Sequence, residues 1–531
     1  MRRLVSRGAS LACLLLALPH AILAQAHEHP AGDADRLGTV EFPVSCSPAA
    51  SATFGRAVAM LHSFWFDAAQ RAFTEIAAAD PSCAMAQWGI AVTQLGNPMT
   101  RVAPPAPALE QGRAAARQAQ ELAARASPRE QQYVAAVVAY YEAPEGTGHV
   151  ARMQAVERAL EALYKAQPAD HEAAIFYART LVANAPPGDH AFALQHRAAE
   201  IMEPLFAQHP DHPGLAHYLI HAYDAPQLAA KGKAAALAYA GIAPAAPHAL
   251  HMPSHIFTRL GYWDESIETN IRSARAEPDS NAAVHPMDYL VYAYLQQGRD
   301  RDAHGVVQRA VQNDDRYYGG LLGYNFAAMP ARYALERGDW AAAAALKVPV
   351  GALPYVEAVT RFARGIGAAR SGEAAAAEAE AAALAALHAK LLETDRDWAT
   401  RVEAQRLAVA AWIAHAKGSD DDALRLAQEA SALEETVEKH PVTPGPILPA
   451  RELEGDLLLE LGRAADAQAA YEQTLVREPG RARTLFGAAR AAERAGEAAA
   501  AARHYDALLA VMAKGEATRP ELVAARAFRP R

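Results

Sequence analysis

Cysteine is scarce in this chain of 531 residues, which contains only three. Aromatic residues make up 7% of the sequence, whereas apolar residues reach 52% and include long runs of alanine. No stretch shows the alternation of β-branched and polar residues that is typical of strands, so the composition predicts an all-α fold. A chain of this length exceeds one compact core and must form several domains or an elongated array.

Several common functional motifs are also missing. The sequence has no HExxH zinc motif, no GxSxG nucleophile elbow and no glycine-rich phosphate loop. A standard hydrolase or nucleotide enzyme therefore has no support. The formal net charge is −9 and no basic stripe is present, which argues against binding to nucleic acid or to an anionic membrane surface.

The N-terminus has the features of a secretory signal peptide, which we predict to span residues 1–26. Arginines precede an apolar run from Leu11 to Leu23, and small residues allow cleavage after Ala24 or Ala26. The run is short for a transmembrane helix, and no other segment approaches the ~20 apolar residues that a span needs. We therefore expect a periplasmic or secreted protein without a stable membrane anchor.

The polar residues 27–40 are predicted to form a flexible N-terminus. After cleavage at either position, His27 or His29 would be the third residue from the free amine. A histidine at that position can bind Cu(II) or Ni(II) together with backbone nitrogens, although such tripeptides also arise by chance.

Cleavage of the signal peptide would leave two cysteines, Cys46 and Cys83. An even number in an oxidising compartment predicts a disulfide bond. The bond would close a loop of about 38 residues and stabilise the fold by about 4 kcal/mol on the chain-entropy model. The alternative is a pair of buried thiols.

Internal repeats organise the chain. Ala467 and Tyr471 are followed 34 residues later by Ala501 and Tyr505, and a glycine precedes each alanine by five residues. In tetratricopeptide (TPR) repeats, such a glycine forms the turn between two antiparallel helices, and the small residue lets the helices approach. The same pair recurs at Gly261/Ser266, Gly298/Ala303, Gly338/Ala343, Gly372/Ala377 and Gly418/Ala423. We predict a TPR-type α-solenoid, in which stacking buries the apolar face of each helix pair.

Clusters of proline and glycine near residues 347–354 and 441–449 divide the predicted array. The first cluster separates an N-terminal array from middle repeats, and the second separates the middle repeats from a C-terminal pair. The predicted parts are a TPR-like array with a histidine-rich groove over 41–345, middle helical repeats over 346–440, a proline-rich linker over 441–449 and a C-terminal TPR pair over 450–531.

Histidine is unevenly distributed, since nine of the 21 lie between His209 and His304. We number each repeat so that its inter-helix glycine is position 15. Three consecutive repeats then carry His or Asp at positions 2, 5, 9 or 12 of their first helices, which line the concave groove in TPR arrays. The candidate metal ligands are His217, His221, Asp224, His248, His251, His255, His285 and Asp288.

Spacing explains why these residues suggest a metal site. Histidines four residues apart lie about 5–6 Å apart on one helix face, so both can bind one ion. Mixed imidazole and carboxylate ligands suit divalent Zn, Fe, Mn, Ni or Cu. Eight side chains exceed the needs of one ion, so some would orient ligands or bind a second ion. Pro253 separates His251 from His255, which share a helix only if the proline lies in its first turn.

Other residues have competing interpretations. Tyr218, Tyr292 and Arg259 are candidate ligand-binding residues, although the tyrosines could equally lie in the core between helices. Asn270 occupies a position where an aromatic residue is usual, so its amide could reach a neighbouring loop or cap a helix. Leu61–Phe66 is interpreted as packing between the first repeats.

Four segments resemble a family of bacterial exported TPR proteins of similar length. They are Ala59–Asp67, Asp80–Ala86, His217–Asp224 and His248–Gly261, within a resemblance that covers about residues 42–345. The resemblance implies the TPR fold and the association of these segments. It implies no activity and no catalytic residues.

Three functions remain open. The chain could be a periplasmic scaffold that binds a protein or peptide in its concave groove and a metal ion at the His/Asp cluster. It could be a hydrolytic or oxidative metal-dependent enzyme that uses the same cluster. It could also be an interaction module without metal. An enzyme needs an open coordination position in an enclosed pocket, whereas a scaffold needs a long open groove.

Overall fold

The computed structural model describes residues 35–277, 283–312 and 320–529. Within these ranges the chain forms α-helices joined by turns and contains no strand, which confirms the predicted all-α class. No helix among the described residues has the length and apolar character needed to cross a membrane. The predicted signal peptide, His27 and His29 lie outside the described residues.

The first ten helices each pack against the next one along the chain. A short 3₁₀ turn at Pro98–Thr100 follows the third helix. The helices are α1 (Pro48–His62), α2 (Phe66–Ala79), α3 (Ala84–Thr93), α4 (Ala106–Ala123), α5 (Pro128–Tyr141), α6 (His149–Ala166), α7 (His171–Asn184), α8 (Ala193–Gln208), α9 (Pro213–Ala222) and α10 (Ala229–Ile242).

The same sequential packing continues to the C-terminus. The helices are α11 (Pro247–His251), α12 (Pro253–Arg259), α13 (Trp263–Ala276), α14 (Val284–Gln296), α15 (Asp300–Gln312), α16 (Gly323–Leu335), α17 (Trp340–Ala344), α18 (Pro354–Arg370), α19 (Ala374–Thr394), α20 (Arg396–Ala416), α21 (Asp420–Glu434), α22 (Ala450–Glu460), α23 (Ala464–Arg477), α24 (Ala482–Ala495), α25 (Ala498–Val511) and α26 (Pro520–Ala527).

The helix pairs follow the predicted TPR pattern. Each of the seven predicted inter-helix glycines has a φ between 66° and 81°, the left-handed region that ends a helix. The small residue five positions after each glycine is fully buried where the two helices cross: Ser266, Ala303, Ala343, Ala377, Ala423, Ala467 and Ala501. The chain is therefore a TPR-type α-solenoid.

The N-terminal segment is attached to the array at two places. The predicted disulfide between Cys46 and Cys83 is present. Residues 35–40, the described part of the segment predicted to be flexible, pack against the array, since Leu37 is buried and the Thr39 amide donates to the Asp211 carbonyl at 3.1 Å.

The C-terminal part of the chain folds back onto α13 and α14. The Trp263 indole donates to the Gly480 carbonyl at 3.0 Å, and the Glu516 amide donates to the Gly298 carbonyl at 2.9 Å. Residues 441–449, predicted as a linker between repeats, are largely buried in this interface, where the Thr443 carbonyl accepts from the Tyr289 hydroxyl at 3.2 Å. We call residues 439–449 the strap.

Candidate metal centre

Six histidines come together in two groups of three. In each group, one ring nitrogen per histidine lies within 4.8 Å of the other two. The first triad consists of His217, His221 and His248, and the second triad consists of His251, His255 and His285. We refer to the two triads together as the histidine centre. All six of its members are among the residues that the sequence pattern selects.

Both triads follow one rule. Each combines positions 5 and 9 of one repeat with position 2 of the next repeat. The first triad joins His217 and His221 of α9 to His248 of α11, and the second joins His251 and His255 to His285 of α14. Stacking one repeat on the next therefore assembles each triad, and the second triad is the first one moved by one repeat.

Pro253 lies at the first position of α12, where a missing amide proton costs nothing. Met252, the only residue between α11 and α12, has a right-handed helical conformation. The chain direction is therefore nearly maintained across the proline. His251 and His255 remain on one face, with 3.0 Å between their Nε2 atoms.

The surroundings of His217 fix the position of its ring proton. Its Nδ1 lies 2.6 Å from the backbone carbonyl oxygen of His62, which can only accept a hydrogen bond. Nδ1 must therefore carry the proton, and Nε2 of the neutral ring has a free lone pair. This Nε2 lies 3.1 Å from Nε2 of His221 and 3.2 Å from Nε2 of His248.

In the second triad, two rings are fixed in the same way. Nδ1 of His255 lies 2.8 Å from a carboxylate oxygen of Asp224. Nδ1 of His251 lies 2.6 Å from Oδ1 of Asn270, whose amide group donates to the Ser266 carbonyl and is thereby oriented. Both Nδ1 atoms donate, so both Nε2 atoms present lone pairs, which face each other at 3.0 Å.

The third member of the second triad is also unsatisfied. Nδ1 of His285 is buried and has no hydrogen-bond partner among the described residues. Buried polar atoms are almost always paired, so this unpaired nitrogen requires an explanation. One ring nitrogen of His285 lies within 4.8 Å of a ring nitrogen of His251 and of His255. A cation between the Nε2 atoms of His251 and His255 would satisfy both of their lone pairs.

The nitrogen spacing matches metal coordination. A tetrahedral ion bound at about 2.0–2.1 Å separates its nitrogen ligands by about 3.3 Å, and right-angled ligand pairs lie about 3.0 Å apart. Three of the six nitrogen pairs, with Nε2 separations of 3.0 to 3.2 Å, fall near these values, and the other three lie within 4.8 Å. Burial lowers the pKa of all six imidazoles, which favours the neutral form that binds metal.

Asp224 acts on the centre through His255. One carboxylate oxygen contacts both His255 and the Lys439 ammonium, at 2.8 and 2.7 Å, and the other accepts from Arg259 at 3.1 Å. Burial would raise the pKa of Asp224, but its neighbours hold it well below the usual range. Asp224, predicted as a possible ligand, thus orients a candidate ligand, in the way that hydrogen-bonded carboxylates support metal-bound histidines in other proteins.

Asp288 lies outside both triads. Its oxygens contact the Arg332 guanidinium at 3.1 Å and the Asn325 amide at 3.2 Å. Asn325 and Arg332 occupy positions 2 and 9 of the following repeat, so a buried ion pair stands where a third triad would lie. The contacts of Asp288 give no support to its predicted role as a ligand, because its carboxylate forms an ion pair with Arg332.

The three predicted ligand-binding residues lie in the interior. Tyr218 is fully buried and its hydroxyl lies 3.0 Å from Nδ1 of His62. Tyr292 is fully buried and its hydroxyl accepts from Arg481 at 3.2 Å. Arg259 is held by Asp224. These positions agree with the alternative interpretation of the tyrosines as core residues.

A third cluster is complete without metal. Both oxygens of the buried Glu172 are paired, with Nε2 of His62 at 2.9 Å and Nε2 of His212 at 2.8 Å. Because the carboxylate separates the two rings, no lone pairs face each other. This cluster supports the centre, since the His62 carbonyl orients His217. Residues 61–66, interpreted mainly as packing between the first repeats, thus also contact the histidine centre.

Phe64 occupies the glycine position of the first repeat, five residues before the buried Ala69. Its φ of 52° costs a side-chain-bearing residue about 1–2 kcal/mol. The ring lies 4.4 Å from the His217 ring and stacks on His248 at 5.5 Å. A bulky residue in a strained backbone conformation, packed against buried polar side chains, is typical of functional sites.

A cleft of about 490 Å³ reaches the histidine centre beside Phe64. Aromatic side chains and prolines form much of its wall, and members of both triads also line it. The lining residues that concern the centre are Phe64, Trp65, Phe66, His248, His251 and His285. On the opposite side, Lys439 of the strap covers Asp224. Asp224 and Lys439, together with His221, also line a second cavity of about 160 Å³. The histidine centre therefore borders two cavities.

Comparison with known proteins does not identify a function for this chain. No protein-family model matches the chain, and no curated protein matches its sequence. The crystal structure of the APC/C hetero-tetramer Cut9–Hcn1 is similar over 89% of this chain and 95% of that chain, with 10% identity and a TM-score of 0.30. The crystal structure of yeast Tom70 covers 90% and 94%, with 12% identity and a TM-score of 0.26. Scores this low carry no argument about function.

Proposed function

We propose that this chain is an exported metalloprotein in which a TPR-type array holds transition-metal ions at the histidine centre. The facing Nε2 lone pairs of His251 and His255 are the observation that supports this proposal. Two buried acceptors at 3.0 Å repel each other unless a cation lies between them. A metal ion provides that cation without protonating a buried imidazole.

The ligand set narrows the choice of metal. Each triad offers three imidazole nitrogens and no carboxylate, a set that suits Zn, Cu, Fe or Ni better than Mn, Mg or Ca. Hydrogen bonds from Nδ1 to a carbonyl, a carboxylate and an amide oxygen orient three of the six rings before metal binds. Such preorganisation raises metal affinity.

A metal-dependent enzyme is the second candidate, and the cavities that border the histidine centre favour it over a peptide-binding scaffold. Three protein ligands per ion leave a coordination position open, as in catalytic zinc sites. The cleft beside Phe64 would give a small molecule access to that position. Binding of a protein or peptide elsewhere on the helical array stays a prediction.

Export is part of the proposal. The disulfide between Cys46 and Cys83 supports it, because such bonds persist in oxidising compartments. Expression of the full chain in a bacterial host, followed by mass measurement of the periplasmic fraction, should give a product cleaved after Ala24 or Ala26. An uncleaved chain that remains in the cytoplasm would contradict this part.

Metal analysis tests the central part of the proposal. Tag-free protein equilibrated with Zn(II) or Cu(II), then dialysed, should retain at least one ion per chain. The double variant His248→Ala/His285→Ala removes one partly exposed ligand from each triad and should lose the metal. His304→Ala removes an exposed histidine outside the centre and is the matched control. Metal-free wild type, or equal retention in the double variant, would refute the proposal.

A further inference from the structure

We infer that the two triads form a single two-metal centre whose ions share a small anion taken from solution. The inference rests on the proposed function and adds to it the number of ions and the class of ligand. It predicts magnetic coupling between the two ions and binding of one anion by both, which two independent metal sites would not show.

The closeness of the triads is the first argument. The His221 and His255 rings lie 6.0 Å apart between centroids, and the His248 and His251 rings lie 6.1 Å apart. These distances between the triads are little larger than those within them, which run from 4.4 to 5.8 Å. Two-metal sites hold their ions about 3.5–4 Å apart, and the proposal places one ion in each triad at a comparable spacing.

Helix α11 links the two triads rigidly. His248 belongs to the first triad and His251 to the second, and only two residues separate them on one turn of helix. One ion cannot shift without moving a helix that also carries a ligand of the other. The repeat-to-repeat rule therefore gives two sites at a fixed separation rather than two unrelated sites.

Charge is the second argument. Six neutral imidazoles do not offset the charge of two divalent ions, and burying uncompensated charge is costly. Asp224, the carboxylate in contact with the centre, is already paired with Lys439 and Arg259. Asp288 is paired with Arg332. Asp67 and Glu277 line the cleft but belong to neither triad. The proposal therefore assigns the compensating charge to an anion from solution.

The cleft is the third argument. It is lined by His248 of the first triad together with His251 and His285 of the second triad. A small anion that enters beside Phe64 would reach both ions at once. Hydroxide is the default occupant in water, and a small inorganic anion such as azide can replace it as a probe.

Electron paramagnetic resonance of Cu(II)-loaded protein tests the inference. Wild type should bind two copper ions per chain, and its spin count should fall well below its copper count, because a shared ligand couples the two spins. His248→Ala and His285→Ala remove equivalent position-2 ligands and should each bind one copper with a full spin count. Azide should give a new absorption band in wild type and bind the single-triad variants at least about tenfold more weakly.

Each other outcome has a defined meaning. A wild type that binds one copper, or two coppers with a full spin count, would overturn the two-metal centre and leave the proposed function intact. A wild type that ignores azide would overturn the shared anion. Absence of metal from wild type would refute the proposed function itself. The wild-type spin count decides the question even if a variant fails to fold.

Discussion

The Nε2 atoms of His251 and His255 lie 3.0 Å apart although each ring donates its proton in the opposite direction. Asn270 accepts the proton of His251, and Asp224 accepts that of His255. The two residues thus have the geometry expected of a preformed pair of metal ligands. The outer hydrogen bonds, and not the helix spacing alone, give the pair this property.

Asn270 offers a test of that relationship. Asn270→Ala removes the acceptor for the His251 proton, which can then move to Nε2 and block the ligand atom. We expect metal affinity at the second triad to fall about 10- to 100-fold, as measured by competition with a chromophoric chelator. Thr269→Ala is the control, because its hydroxyl bonds only to carbonyls of its own helix. Equal affinities in the two variants would contradict the orienting role.

Asp288 should be needed for the stability of the fold but not for metal binding. Asp288→Asn leaves the fully buried Arg332 without its counter-charge, which should lower the free energy of unfolding by about 3 kcal/mol. The number of bound metal ions should not change. Urea denaturation and metal analysis of the same preparations check both statements. A lost metal ion in a folded variant would restore Asp288 as a ligand.

At position 64, a glycine variant should be more stable than an alanine variant, which is the reverse of their usual order of stability. Both Phe64→Ala and Phe64→Gly lose the buried ring, but only glycine relieves the positive φ of 52°. We expect Phe64→Gly to be more stable than Phe64→Ala by about 1 kcal/mol. Thermal melts of the two variants compare them directly. If the alanine variant is the more stable, the backbone at Phe64 is not strained.

Because of Glu434, the free energy of unfolding should fall as the pH rises from 4.5 to 7. Burial raises the pKa of this carboxyl to about 7, above the ordinary value near 4.5. The folded state therefore holds a proton that the unfolded state releases, and stability declines as pH rises through this window.

The Glu434→Gln variant removes that effect. It should gain about 2 kcal/mol over wild type at pH 8 and nothing at pH 4. Glu429→Gln, an exposed residue on the same helix, controls for the loss of a carboxylate. Denaturant titrations at both pH values provide the measurement. A gain from Glu434→Gln that is the same at both pH values would contradict the raised pKa.

Local patterns were sufficient to predict much of the molecule. The seven glycine turns, the buried small residues and all six histidines follow from spacing within single repeats, because that spacing sets which face of a helix a side chain occupies. The repeat register also singled out Asn270, because it lies where an aromatic residue is usual. Its side chain contacts His251.

Contacts between distant segments could not be predicted in this way. Lys439 reaches Asp224 across 215 positions, and no repeat pattern links them. Asp288 has the same register position as His251, yet Arg332 and Asn325 of the next repeat change its role. Phe64 lacks the glycine that marks the other turns. Proline and glycine in the strap indicate a break between helices, but they do not indicate exposure. Residues 441–449 lie outside the helices and are nevertheless largely buried.

Anomalous X-ray diffraction from crystals of the metal-loaded protein tests the central claim most directly. Data collected on both sides of the absorption edge of the metal locate each ion independently of the protein model. We predict one peak at each triad, about 2.0–2.1 Å from its imidazole nitrogens. Metal at full occupancy elsewhere, with both triads ordered and without a peak, would contradict the account.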